Sequence, residues 1–396
     1  MNFSNSGFSI YNSAGKYFMP EIQNMVMAII CSDCRQRSDL DLHTWRCNHC
    51  GAPWEPFTDK RVEPSAIQTQ VTTVWRYREW MELALPSPIS LGAGWTPLLP
   101  ATYDGHPVWL KAEYQNPTGS FKDRGTEVMV NMLNLLGARE VVEDSSGNAG
   151  ASLAAYAARA GMSVEIYTPE TASPTKLAQI EMVSARVKRI PGPRENATRA
   201  VREAVDAGAV YASHAFHPAY LLGQQTTAWE VWEQLGKKAP DFWVTPVGQG
   251  GHLLGIWMGW QRLFQSGLIE KMPRMVAVQC TRMAPIVIAF QQHAAELVEV
   301  DLNVKTIAEG VVVAKPVRWK KILAESQQNG WIGISIPEEE ILPARQHLAR
   351  LGFFVEPTSA LAAAALPFVF PFTKPGDTIV VSLTGSGLKV PIPPSL

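Results

Sequence analysis

The sequence has almost no net charge. Its 35 basic residues against 36 acidic ones leave a balance of −1. Nucleic-acid and membrane-surface proteins carry a basic excess, so neither partner is expected. Charged residues make up 18% and hydrophobic ones 46%, a balance that disfavours disorder. No stretch approaches the ~20 apolar residues of a membrane span. Residues 361–372 come nearest and contain Pro367 and Pro371. The polar amino terminus lacks the basic start and apolar run of a secretory signal, so a cytoplasmic protein is expected. Cysteine is scarce too. There are five, and four of them fall between positions 31 and 50. A secreted disulfide framework is denser and more even.

What is present begins with those four. Cys31, Cys34, Cys47 and Cys50 read C-x2-C, twelve residues, C-x2-C. Each pair can point two thiolates at one ion from a tight turn, and two turns complete a tetrahedron of soft ligands, which suits structural Zn2+. His43 and His49 are read as surface residues. The polar stretch 55–70, with Pro56 and Pro64, is read as a linker.

At 396 residues, length asks for two or three domains. Beyond residue 100, apolar strand-like runs at 141–142, 164–167, 242–247, 275–279 and 379–383 alternate with helical segments at 121–136, 149–160, 198–207 and 224–235. This alternation indicates an α/β architecture with mainly parallel sheets. Ligands in such folds sit beyond the carboxyl ends of strands, beside helix starts.

Four motifs fall at such places. Asn116-Pro-Thr-Gly-Ser-Phe-Lys122-Asp-Arg-Gly125 is a turn that leads into a helix with a lysine at its start. An amine there can form a Schiff base, and the positive helix end eases the neutral form. Asp144-Ser-Ser-Gly-Asn148-Ala-Gly150 opens the next helix and makes a cradle for a carboxylate. Gly248-Gln-Gly-Gly-His252 brings a glycine-rich backbone close to a phosphate. It lacks the features of a triphosphate or dinucleotide loop, so a phosphate monoester fits better. Ser382-Leu-Thr384-Gly-Ser-Gly-Leu-Lys389 ends the last strand and presents a hydroxyl. One ligand accounts for an aldehyde, a phosphate, a ring oxygen and a ring nitrogen together: pyridoxal 5'-phosphate.

On these motifs, together with Val278-Gln-Cys280, Pro285 and Glu356-Pro-Thr-Ser-Ala360, residues 91–390 resemble the tryptophan-synthase-β type of pyridoxal-phosphate enzymes (fold type II). Within that type they resemble threonine synthases most closely. The resemblance implies two three-layer α/β domains behind a zinc-ribbon-like segment. The segment is expected at 25–58, a large cofactor domain at 70–115 and 228–396, and a small domain at 116–227. It implies that Lys122 holds the cofactor and shuttles protons, and that Gly248, Gln249, Gly250, Gly251 and His252 hold its phosphate. Asn148 meets the ring hydroxyl and Thr384 faces the ring nitrogen. Ser145, Ser146, Gly147 and Gln224 bind the amino-acid substrate. A homodimer is the usual assembly.

The substrate-reading parts depart from that pattern. Threonine synthases carry an arginine a few residues before a Gly-Gln dipeptide, where it clamps the substrate phosphate. Here Tyr220 stands there, and a tyrosine cannot make a bidentate ion pair. Arg194, Arg199 and Lys176 are the candidates to compensate. Ile307-Ala-Glu309-Gly310-Val311 is closer to the dehydratases, with Glu309 expected near the ring. Ser386 and Val390 replace a histidine and an aspartate. Two readings follow. One is the conversion of O-phospho-L-homoserine to L-threonine and phosphate. The other is an ammonia-lyase, dehydratase or β-replacement enzyme acting on threonine, serine or diaminopropionate.

Overall fold

The computed structural model describes residues 27–390 apart from 84, 86, 173, 302 and 303, and omits the side chains of 174–176. Positions 25 and 26 of the expected metal-binding segment, and the Lys176 side chain, therefore lie outside the described residues.

Three short antiparallel strands come first: β1 (Ala28–Cys31), β2 (Arg37–Asp39) and β3 (Trp54–Pro56), in the order β2-β1-β3. The turn after each leading cysteine closes tightly. Cys31 N–H donates to Gln36 O and Gly51 N–H to Cys47 O, both at 2.8 Å. Arg35 and Gly51 take the left-handed conformation there, at φ 62° and 75°. Trp45 lies between the two turns and packs edge-on against Tyr211 and Phe216, with centroids 5.4 and 4.9 Å away.

The stretch 55–70 is docked on the body and does not behave as a bare polar linker. Val62 is buried and donates its N–H to Ser266 Oγ at 2.9 Å. Trp80 Nε1 donates to Glu63 O at 2.9 Å. Val62, Ala66 and Ile67 pack against the core, and a proline-started turn at Pro64–Ala66 helps to seat the stretch.

The hairpin β4 (Leu98–Tyr103) and β5 (His106–Lys111) turns at Asp104-Gly105, both with positive φ, as a two-residue hairpin requires. A separate parallel sheet follows: β6 (Glu140–Glu143), β7 (Ser163–Pro169) and β8 (Arg186–Ile190). Then β9 (Phe242–Pro246), β10 (Arg274–Cys280), β11 (Ile332–Ile336) and β12 (Ile379–Ser382) join the hairpin in a six-stranded sheet of order β11-β10-β9-β12-β5-β4. Its strands are parallel except β4. β9 and β12 are buried throughout, which is why they read as unbroken apolar runs.

The helices are α1 (Lys122–Leu135), α2 (Asn148–Arg159), α3 (Pro174–Met182), α4 (Arg194–Asp206), α5 (Pro218–Gln234) and α6 (Gly251–Gln265). They continue with α7 (Pro285–Gln291), α8 (Trp319–Asn329), α9 (Glu338–Arg350) and α10 (Pro357–Ala364). The helix expected at 224–235 starts six residues earlier. Pro218 occupies its first turn, where no N–H is needed, and the His217 ring accepts from Ala219 N–H at 3.2 Å. α1 and α5 touch backbone to backbone: a Cβ on Gly223 would meet Arg124 O at 2.2 Å. No helix among the described residues is long and apolar enough to cross a membrane.

Candidate active site

A cavity of about 710 Å³ opens beyond the carboxyl ends of β6, β9 and β12. It brings together nearly every residue expected at the site: Lys122, Ser145 to Asn148, Gly248 to His252, and Thr384. These come from four separate strand ends and the turns that follow them, and hydrogen bonds both within and between these units place them.

Lys122 opens α1. Phe121 N–H donates to Thr384 O at 2.9 Å, and Ser120 pairs with Gly385, so the lysine is clipped beside the last strand's loop. Asp123 secures the turn. Its carboxylate accepts from Thr118 N–H at 2.6 Å, Thr118 Oγ1 at 2.5 Å and Ser152 Oγ at 2.6 Å. Behind them Arg124 is fully buried and pairs with Glu113 and Glu230, and Lys111 pairs with Glu230. This closed network ties β5, α1 and α5 together, and sequence reading missed it. The Lys122 ammonium lies 4.5 Å from the Phe121 ring centroid and 6.0 Å from that of Tyr220. Burial pushes its pKa down to about 8, against the pull of Glu143 and Glu356 and with the help of Arg194.

On the opposite wall α6 begins at Gly251, preceded by Gly250 at φ 86°. A Cβ on Gly248 would meet Gly310 O at 2.7 Å, so only glycine lets the 310 segment close over this loop. The free N–H groups of the α6 start form an anion cradle. Gln249 is committed elsewhere, since its Oε1 accepts from Val317 N–H at 3.0 Å. His252 Nδ1 lies 2.8 Å from Gln224 Oε1, while Gln224 Nε2 donates to Phe121 O at 3.1 Å. Gln224, expected at the substrate, is fully buried and does not line the cavity. Both ends of its amide are used in joining the glycine loop to the lysine turn. Burial lowers the pKa of His252 to about 3, so its ring is neutral.

Thr384 is buried, with Oγ1 at 3.0 Å from Ser359 Oγ. Asn148 opens α2 and donates to the Glu356 carboxylate at 3.0 and 3.2 Å. Glu356 and Glu309 both line the cavity. Glu356 stood in a matched motif without an assigned role, and the partner that brings it to the site, Asn148, is 208 residues away.

The remaining wall joins Tyr220 and Arg194, both noted in the sequence, to a pair that no motif singled out, Glu143 and His214. Val142 pairs with Tyr211 in a parallel bridge, which sets the next residues of each segment side by side. Glu143 Oε1 and His214 Nδ1 are 2.6 Å apart. His214 and Tyr220 line the cavity, and the buried Tyr220 hydroxyl has no hydrogen-bond partner among the described residues. Arg194, the first residue of α4, also lines it. Arg199 does not, and its guanidinium bonds Asn196 on the surface at 2.9 Å.

The four clustered cysteines form a second site. Their Sγ atoms all lie within 4.8 Å of one another. Bonds of ~2.3 Å to one central ion put tetrahedral sulfurs ~3.8 Å apart, so the set fits a single soft cation.

Comparison with known proteins agrees with this geometry. The family model described as "Pyridoxal-phosphate dependent enzyme" matches residues 89–385. A threonine synthase of Methanocaldococcus jannaschii is 34% identical over 377 residues, covering 91% of this chain and 92% of that protein. One from Mycobacterium bovis is 36% identical over 314 residues, covering 77% and 84%. Among solved structures, a threonine deaminase of T.th. superposes with a TM-score of 0.63 at 26% identity, covering 74% of this chain and 92% of that one. A serine racemase from Dictyostelium discoideum shares the fold, with a TM-score of 0.64 at 22% identity over 81% of this chain and 100% of that one. The chain belongs to the pyridoxal-phosphate dependent enzymes, as a lyase of the threonine synthase type.

Proposed function

We propose that the chain converts O-phospho-L-homoserine to L-threonine and phosphate. The carrying observation is Lys122: a half-buried lysine with its pKa lowered to about 8, set at a helix start and lining one cavity with Thr384 and a glycine-rich anion cradle. The cavity fits pyridoxal phosphate by donor chemistry as well. Its glycine loop closes under Gly310 with no room for a Cβ. When bound, the cofactor supplies the electron sink for breaking bonds at the substrate α carbon.

Lys122 would hold the cofactor and carry protons to and from the substrate carbons. Gly248, Gly250 and Gly251 would take the cofactor phosphate on the N–H groups at the α6 start, with Gln249 and His252 shaping the loop. Asn148, steadied by Glu356, would meet the ring hydroxyl, and Thr384 the ring nitrogen. Ser145, Ser146 and Gly147 lie at the α2 start, suited to the substrate carboxylate. Arg194 would be a cation available to a phosphate, as would Lys305 and Lys389, which also line the cavity. Cys31, Cys34, Cys47 and Cys50 would bind structural Zn2+. The domain division given above and a homodimer go with this reading.

A second reading is an ammonia-lyase acting on threonine or serine, favoured by Tyr220 in place of a phosphate-clamping arginine. Incubation of the holoenzyme with O-phospho-L-homoserine separates the two. Equal amounts of phosphate and threonine support the first. Ketoacid and ammonia from threonine or serine, without phosphate release from the ester, overturn it.

A further inference from the structure

The pair of Glu143 and His214 has no part in the reading so far, yet it is built like an acid–base device. The Glu143 side chain is 1% exposed and that of His214 10%, and they meet at 2.6 Å through Oε1 and Nδ1. His214 lines the same cavity as Lys122. Its ring is centred 6.1 Å from the Tyr220 ring, and the Lys122 ammonium lies 6.0 Å from that same ring. Lysine and histidine therefore both lie about 6 Å from one aromatic ring. With Nδ1 held by Glu143, the ring nitrogen left for a ligand is Nε2.

The chemistry of leaving groups gives the pair a use. Phosphate departs as a stable anion and needs no proton, whereas hydroxide is a poor leaving group unless an acid protonates it as the bond breaks. The wall where a phosphate clamp is expected holds Tyr220, neutral and buried, and beside it this histidine. We propose that His214, oriented by Glu143, is the general acid for a departing hydroxyl, so that the cavity also eliminates water from an unphosphorylated 3-hydroxy amino acid. This rests on the lyase reading and deepens its second form.

The step balances. Lys122 takes the α proton, and that C–H electron pair becomes the new carbon–carbon double bond. The Cβ–O bond breaks with its pair on oxygen. His214 gives the Nε2 proton to that oxygen, which leaves as water, while the Glu143 carboxyl passes its proton to Nδ1, so the ring stays neutral and the carboxylate takes the charge. Lys122 gains one proton and the pair loses one, and exchange with water resets both. Burial supports this arrangement: it holds the Glu143 carboxyl well above its ordinary range, and with Lys122 and Arg194 it holds His214 well below. The carboxyl then donates to Nδ1 and keeps the hydrogen on Nε2.

The test compares leaving groups in the holoenzyme, with L-serine and β-chloro-L-alanine as substrates, since chloride needs no acid. His214→Asn is expected to lower ketoacid formation from serine by about 100-fold or more while chloride elimination stays near wild type. Glu143→Gln is expected to follow the same pattern with a smaller loss. Thermal melting and the visible absorbance of the bound cofactor check folding, and His214→Gln replaces the first variant should it misfold. Equal losses on both substrates overturn the proposal and leave His214 a structural residue. So does a wild-type holoenzyme that eliminates chloride but not water. A wild type with cofactor absorbance and no elimination from either substrate overturns this proposal but not the lyase reading, which phosphate and threonine release from O-phospho-L-homoserine tests separately.

Discussion

The guanidinium of Arg318 donates two hydrogen bonds, both 3.0 Å, to the backbone carbonyl of Trp54. Trp54 opens β3 of the cysteine module, and Arg318 immediately precedes α8. The same guanidinium donates to Ala215 O at 3.1 Å and Phe216 O at 2.9 Å, next to His214. One buried cation thus joins the module to the cavity wall, and Trp45 packs on Phe216 from the module side. Arg318→Met leaves three carbonyls without this donor, and losses of about 1–3 kcal/mol per unsatisfied buried group set the scale. The variant is expected to unfold at clearly lower urea and, where it stays folded, to show a raised KM from the disturbed wall. An unchanged urea midpoint and KM would count against this coupling.

The cysteine module is expected to depend on the zinc proposed for it. Cys31 and Cys47 are buried ligand candidates, while Cys34 and Cys50 are exposed. Removing one ligand of four should cost most of the metal affinity and the folding energy coupled to it. Cys31→Ser should therefore lower the zinc content per chain and the melting temperature, and Lys122 should still load cofactor. Full zinc retention in this variant would contradict a four-cysteine site.

Much of this site was legible because each unit is local. A strand, a glycine- or serine-rich turn and a helix start lie within ten or so residues, as in Asp144 to Gly150 and Gly248 to His252. What escaped reading depends on partners far apart in the chain. Glu143 and His214 are 71 residues apart, Arg124 and Glu230 are 106, and Arg318 and Trp54 are 264. No period or motif relates such pairs; only the topology brings them together. β8 escaped for another reason. Arg-Val-Lys-Arg-Ile has an edge strand's half-exposed pattern, which resembles a polar loop.

The hydroxyl of Thr384 should set the outcome of the reaction. It sits 3.0 Å from Ser359 Oγ, in a site with no carboxylate of its own motif to protonate a pyridine nitrogen. With Thr384 at the ring nitrogen, as proposed, the cofactor would be a weaker electron sink, and routes that expel charge with a leaving group would be favoured over racemisation and transamination. Thr384→Asp is expected to raise side products relative to elimination, measured as amino-acid enantiomers and pyridoxamine form per turnover. An unchanged product ratio would sink this account.

Acid should destabilise the fold through its buried histidines. His217 and His252 both have pKa values pushed down to about 3, in each case first by burial. In the unfolded chain they titrate near the ordinary 6.5. Between these values the unfolded state binds more protons than the native one, so stability rises with pH. It is therefore complete above about 6.5 and is lost as pH falls toward about 3, by up to about 1.4 kcal/mol per pH unit for each ring. His217→Asn should flatten that slope by one ring's share, with its own loss of the Ala219 cap appearing equally at every pH. Urea unfolding at intervals from pH 7 to 4 measures both effects, and a slope identical to wild type would mean that His217 already carries its proton in the folded protein.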